Sequence, residues 1–438
     1  MHHAAAARPP VHDRKQVVSW ALYDWANSAF ATTVMAGFFP VFFKQYWSAG
    51  SEVVESTFRL GAANSVASLF IVIAAPVLGA IADRSGAKKK FLTFFAFLGI
   101  LMTGGLFFVS KGSWQLAACL YVFGIIGFSG GNIFYDSLLV SVAGPKKVDT
   151  VSALGFSLGY LGGGLLFALN VFMTLKPELF GFADKAEAVR WSYLTVAIWW
   201  AVFSLPVLLF VKEERSADSG RIGLNAVAAG FRQLTQTFAE IRRLKVVLLF
   251  LAGYWLYIDG VDTIVRMAVD YGLSIGLETG GLMTALLITQ FVGFPAAIAF
   301  GKIGEKIGAK TGILICIGVY ILITVWAYFM SRQTEFYLLA VGIGLVQGGV
   351  QSLSRSLYTR IIPRSKSAEF FGFYNMLGKF AAVVGPLLMG WIGVLSGSPR
   401  TGILSLILLF LAGGALLLLV NVEEGTRMAQ ELEGGADA

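Results

Sequence analysis

Seven ionisable residues sit inside otherwise apolar stretches of this chain: Asp24, Asp136, Asp259, Asp262, Arg266, Arg355 and Lys379. Charge in a hydrocarbon environment is expensive, so each marks a solute path, a proton relay or a paired gate. Asp259, Asp262 and Arg266 are spaced i, i+3 and i+7, which puts all three on one helical face. Asp262 and Arg266, four apart, are expected to pair. Asp259 then has no partner on its own helix and is the first choice for carrying a proton or cation, with Asp24 or Asp136 second. The histidines, His2, His3 and His12, all precede the first apolar stretch, so a proton carrier within the membrane has to be a carboxylate. Asp24, Asp136 and Arg355 fall toward one face of the membrane, and a charge-paired gate is the plain structural expectation for them.

Uncharged polar groups thicken the same stretches: Asn27, Asn132, Tyr135, Tyr254, Tyr257, Gln347, Gln351 and Ser354. Amide and hydroxyl groups both donate and accept, as a small hydrophilic solute requires. Any one of them alone reads as an interhelical hydrogen bond; as a set they favour a polar solute over a greasy one.

Such residues need rigid apolar elements to hold them. Of 438 residues, 56% are hydrophobic and 14% charged, against about 25% charged in a soluble domain. Apolar runs lie near 17–46, 57–82, 91–110, 114–141, 150–175 and 190–211, then near 246–271, 278–301, 311–330, 335–360, 368–396 and 401–421. Each is long enough to cross a bilayer as a helix. The expected fold class is an all-α membrane protein of twelve transmembrane helices in two pseudo-symmetric six-helix bundles. Six of the seven charges fall on helices one, four, seven and ten, the first member of each three-helix unit.

A repeated signature supports the duplication. Gly79, Asp83, Arg84, Gly86 and Lys88 recur as Gly301, Glu305, Lys306, Gly308 and Lys310. In each copy the first glycine permits close helix approach and the second turns the chain. The acids can cap or pair across to the other half, and the bases anchor the hairpins at the membrane surface. A conformational latch is the sharper reading of these loops, a topology anchor the plainer one.

The net charge of +8 is distributed as a topology signal: of 34 Lys and Arg, 23 fall on segments sharing a side with the termini, 8 on the opposite side and 3 within spans. That bias places both termini and both loops in the cytoplasm of a cell membrane, and it argues against nucleic acid as the partner. Residues 1–16 read as a cytosolic tail, 17–211 as the first bundle, 212–245 as a linker, 246–421 as the second bundle and 422–438 as a second tail. The linker turns periodic at Leu224, Val227, Phe231, Leu234, Phe238, Ile241 and Leu244, an amphipathic helix for the membrane surface. Two cysteines, Cys119 and Cys316, are too few for a disulfide framework or a thiolate metal site. No cofactor or metal is expected, and the chain reads as a monomer in contact with lipid.

Helix five carries Gly155, Gly159 and Gly163, a small-residue ridge for close packing. The same stretch matches the G-x-S-x-G hydrolase pattern at Ser157, but no histidine base is present in any span.

Gly79-x-x-x-Asp83-Arg84-x-Gly86-x-Lys88 resembles the signature loop of the major facilitator superfamily, apart from Ala87 and Ala309, where a basic residue is common. Leu22 to Phe30, Phe134-Tyr-Asp136, Ser152 to Phe156, Gly159 to Gly164, Tyr257 to Gly260, Gln347 to Gln351, Ser354-Arg-Ser356 and Glu369 to Tyr374 are similar to the autophagy-related vacuolar effluxer-like family, in its compact bacterial branch. The resemblance implies a secondary transporter working by alternating access. It would export a small polar metabolite, amino acids foremost, with protons as the coupling ion. On that reading the planar fork of Arg355 is the expected carboxylate site. Gln351 and Gln347 stand one and two turns away, and Asp24 or Asp136 faces the ammonium. A uniporter or drug/metabolite exporter, a non-transporting receptor or scaffold, and an intramembrane enzyme stay open as alternatives. No phosphate-binding loop points to ATP-driven transport.

Overall fold

The computed structural model describes residues 13–213, 244–274 and 279–434, and among these every regular element is helical. Twelve helices are long and apolar enough to cross a membrane. In chain order they are α1 Arg14–Trp47, α2 Val53–Ser85, α3 Lys88–Phe108, α4 Trp114–Val142, α5 Val148–Leu175 and α6 Lys185–Phe210, followed by α7 Lys245–Ser274, α8 Thr279–Ile307, α9 Ala309–Phe329, α10 Gln333–Ile361, α11 Ser367–Ser396 and α12 Pro399–Leu419. Each agrees with its apolar run to within a few residues. The chain is thus an integral multi-pass membrane protein.

Large apolar side chains such as Leu69, Phe97, Leu209, Trp391 and Leu418 face outward, as lipid contact requires, while Asp24, Asp136 and Arg355 are buried. Buried apolar side chains gather in two clusters. One runs from Trp20 to Val211 and takes in Ala368; the other runs from Leu244 to Val420. Ala368, at the start of α11, is where the second half reaches into the core of the first.

The halves meet along two seams, α2 against α11 and α5 against α8. Glycine makes both close. A Cβ on Gly372 would lie 2.6 Å from the Ala75 carbonyl oxygen, and one on Gly293 would lie 3.0 Å from the Tyr160 ring. The glycine ridge of α5 serves a different contact, against α1: a Cβ on Gly159 would meet Ser28 Oγ at 2.6 Å and one on Gly163 would meet Thr32 Oγ1 at 2.8 Å. Ser157 is mid-helix and donates to the Phe294 carbonyl at 2.9 Å, far from any hydrolase elbow.

Helix α1 is not uniform. Phe30–Phe38 and Phe43–Trp47 are wound as π-helix, and the Phe39 N–H bonds Val34 O, five residues back. Pro40 has no N–H to give and its ring crowds the preceding turn, a local cause for the widening of the first stretch.

Most of the amphipathic linker segment, 214–243, lies outside the described residues. The C-terminal segment, expected as a tail, is helical over Val422–Gly434, here α13. Gly425 on α13 packs so closely that a Cβ there would lie 2.8 Å from Val246 and 2.9 Å from Ile361. A search for fully apolar runs passes over such an amphipathic segment, whose apolar positions recur only every three or four residues.

Candidate functional site

The charged residues of α1, α4 and α10 converge. Arg355, 2% exposed, sits between Asp136 (Nη1 to Oδ1, 2.9 Å) and Asp24 (Nη2 to Oδ2, 3.5 Å). Its Nε donates to Ser152 Oγ at 2.9 Å and its Nη2 to the Ser152 carbonyl at 2.8 Å. Tyr135 donates to Asp24 at 2.7 Å, and Asn375 donates to Asp136 at 3.2 Å. The guanidinium also lies 4.3 Å from the centre of the Phe156 ring and 4.9 Å from that of Trp20. Gly155 makes room for this cluster. A Cβ there would fall 2.6 Å from Asp24 Oδ2, 2.7 Å from Tyr135 Oη and 3.0 Å from Arg355 Nη2.

The cluster bridges the halves, since Asp24, Asp136 and Ser152 belong to the first and Arg355 and Asn375 to the second. It closes one end of a cavity of about 410 Å³ between the bundles. From this gate the cavity extends past Asn27, Asn132, Gln347 and Gln351 toward Ala36, Ala268, Ala285 and Phe336. Asn27 donates to Asn132 at 2.6 Å, and Tyr160 reaches Gln351 at 3.4 Å. Asp262 and Lys379 line the same cavity. The chamber therefore offers amide, hydroxyl, carboxylate and ammonium groups within an otherwise apolar wall, the mix that fixes a small polar solute.

Other expected residues fall elsewhere. Asp259 does not line the cavity. Its two carboxylate oxygens each accept from the Gly385 N–H at 3.0 Å, and Thr263 Oγ1 donates to it at 3.3 Å. It binds α7 to α11 just before Pro386, with Thr263 of its own helix as a second donor, so Asp259 has partners on both helices. Tyr257 is also turned away and shares a 2.7 Å hydrogen bond with Ser354. Asp262 and Arg266 form no ion pair within 4.0 Å among the described residues, and Arg266 does not line the cavity.

Further closures lie beyond the gate, on the side that carries the start of α1 and the helix α13. Asp83 pairs with Lys88 at 2.9 Å and accepts the N–H groups of Ala368 (3.1 Å) and Glu369 (2.8 Å), the open first turn of α11. A carboxylate at a helix N-terminus satisfies free donors and opposes the helix dipole. Lys88 also donates to Ser367 at 2.7 Å. In the second copy, Glu305 pairs with Lys147 at 2.9 Å and accepts from Thr150 at the start of α5. Gly79 and Gly301 let these helices approach: a Cβ on either would strike α11 backbone or Ala153. Gly86 and Gly308 adopt φ of 56° and 88°, which their sharp turns require. Lys310 differs from Lys88: it donates to the Leu418 and Val420 carbonyls of its own half, at 2.8 and 2.9 Å. Arg84 and Lys306 are exposed.

Asp149 was not singled out from the sequence, yet it completes this face, pairing with Arg360 at 2.6 Å and accepting from Ser356 at 2.5 Å. It lies at the edge of an apolar run, where an acid reads as a solvated helix start. Ser152, Tyr160, Asn375 and the cavity-lining Gln290 also belong to the site; a lone polar group in a span carries little signal until its neighbours are known.

Two six-helix halves around a central polar cavity, closed at one end by paired charges, define a major facilitator superfamily transporter. Solved structures share the fold: a proton:xylose symporter, XylE, aligns with a TM-score of 0.69 at 14% identity over 93% of this chain and 95% of that one. FucP in its outward conformation aligns at 0.66 and 12% identity, over 93% and 98%. Within that superfamily the chain belongs to the vacuole effluxer Atg22-like family, whose model matches residues 50–430. An uncharacterized MFS-type transporter, YxiO, of Bacillus subtilis is 37% identical over 95% of this chain and 97% of that protein. Autophagy-related protein 22 of Eremothecium gossypii is 24% identical over 96% and 93%.

Proposed function

We propose that the protein is a secondary transporter that exports small polar metabolites, amino acids foremost, by alternating access coupled to protons. The observation that carries this reading is the one-sided closure of a polar chamber. Arg355, held by Asp24 and Asp136, joins the halves at one end of the cavity, and the Asp83 and Glu305 contacts reinforce the same side. Breaking that set as the bundles rock would expose the chamber to the other compartment. The basic bias of the sequence puts the closed side in the cytoplasm, with both termini, and the protein works as a monomer. The family description, vacuole effluxer, supports solute transport across a membrane.

The gate carboxylates are the proton carriers of this reading. Two carboxylates share one guanidinium there, so the cluster holds one more negative than positive charge when both are ionised. Reconstitution in liposomes tests it: saturable amino-acid counterflow and uptake driven by a pH gradient are expected. Flux that is saturable but indifferent to the gradient would make the protein a uniporter, and ligand binding without flux would make it a receptor.

A further inference from the structure

Resting on the reading that the cavity holds the transported solute, we propose that Lys379 and Asp262 are the two poles of a zwitterion site. Lys379 would take the carboxylate of the solute and Asp262 its ammonium. Arg355, the residue expected from the sequence to receive the carboxylate, is already engaged at every donor. Its Nε bonds Ser152 Oγ, its Nη1 bonds Asp136 and Asp24, and its Nη2 bonds Asp24 and the Ser152 carbonyl. Aromatic rings flank it as well. No N–H is left for a ligand while the gate is closed.

Two other charges line the chamber, Lys379 on α11 and Asp262 on α7. Among the described residues neither has a side-chain hydrogen bond or an ion pair within 4.0 Å. Each lies within the other's electrostatic field, and Arg266, one turn beyond Asp262, adds to it from outside the cavity lining. The helices that carry the pair are fixed in register by Asp259 on the Gly385 N–H. An ammonium and a carboxylate held in one chamber but apart from each other are costly unless something bridges them. A zwitterion does so and neutralises both poles at once. Phe156, Ile258 and Ile343 line the same chamber and offer apolar surface for an aliphatic side chain.

The arrangement separates ligands by charge. L-leucine supplies both poles, 3-methylbutylamine lacks the carboxylate, and 4-methylpentanoate lacks the ammonium. With the purified full-length protein, thermal shift and competition against leucine counterflow should show that leucine binds at least tenfold tighter than either analogue. Lys379→Gln and Asp262→Asn should each weaken leucine by at least tenfold while leaving the melting temperature of the unliganded protein unchanged or raised. A merely structural pair would instead lower that temperature in both variants. Equal binding of the analogues, or single variants that bind leucine like the wild type, overturns the assignment. If the wild type exchanges only a solute that is not zwitterionic, the assignment fails while the transporter reading stands. Absence of saturable flux for any solute fails the transporter reading itself.

Discussion

Asp83→Asn tests how the halves are held together on the closed side. In the closed state the Asp83 carboxylate accepts two N–H groups from the first turn of α11 and pairs with Lys88. An amide keeps one acceptor oxygen but loses the charge. The dipole contribution of a partly buried carboxylate runs to about 2 kcal/mol, and a lost cap costs about 0.5–2 kcal/mol. Because one acceptor survives, the closed state should lose about 1–2 kcal/mol, a roughly 5- to 30-fold shift toward the state open on this side. Glu305 sets the comparison. It is in the more exposed pair, and such pairs contribute up to about 1 kcal/mol, so Glu305→Gln should shift the equilibrium severalfold at most.

The assay is labelling of a cysteine that only opening uncovers. Ser137 is fully buried at the junction, where its carbonyl accepts from Ser367 at 3.3 Å. Ser137→Cys, in a background with Cys119 and Cys316 replaced by serine, should react with an impermeant maleimide in inside-out vesicles faster with Asp83→Asn than without it. Unchanged labelling with Asp83→Asn, or an equal or larger effect of Glu305→Gln, would refute the reasoning and leave these loops as topology anchors.

Gly155→Val should block closure of the gate, because its side chain would occupy the space between Asp24, Tyr135 and Arg355; transport should fall at least tenfold with normal membrane expression. Asp24→Asn and Asp136→Asn should each lose uptake driven by a pH gradient yet retain counterflow, which needs no net proton movement. Asp259→Asn should retain both and show its effect in thermal stability, about 1–3 kcal/mol for a weakened buried acceptor. Cysteines at Ser85 and Gly308 should react from the cytoplasmic side only; labelling from outside in intact cells would reverse the orientation.

The twelve spans and their pairing into two halves were legible because hydrocarbon imposes length and apolarity on every crossing helix. Asp24, Asp136 and Arg355 were legible as a trio because buried charge is rare and needs a partner. Depth along three helices was enough to predict that they meet. Direction around a helix was not legible at the same level. Asp259 and Asp262 are three residues apart on α7, yet one holds the Gly385 N–H and the other lines the cavity. The distinguishing feature is a backbone donor on α11, which no side-chain pattern reports. The expected Asp262–Arg266 pair failed for a related reason: spacing permits an i, i+4 contact, but packing decides where each side chain is used. The docking of α13 likewise depends on neighbours that local sequence does not name.

Reconstitution of the purified protein into liposomes, with leucine uptake followed under an imposed pH gradient, tests transport through this cavity most directly. Alternating access coupled to protons predicts saturable uptake, acceleration by the gradient, and trans-stimulation by internal leucine, all three lost with Gly155→Val. Binding of leucine without saturable flux, or flux untouched by Gly155→Val, would contradict it.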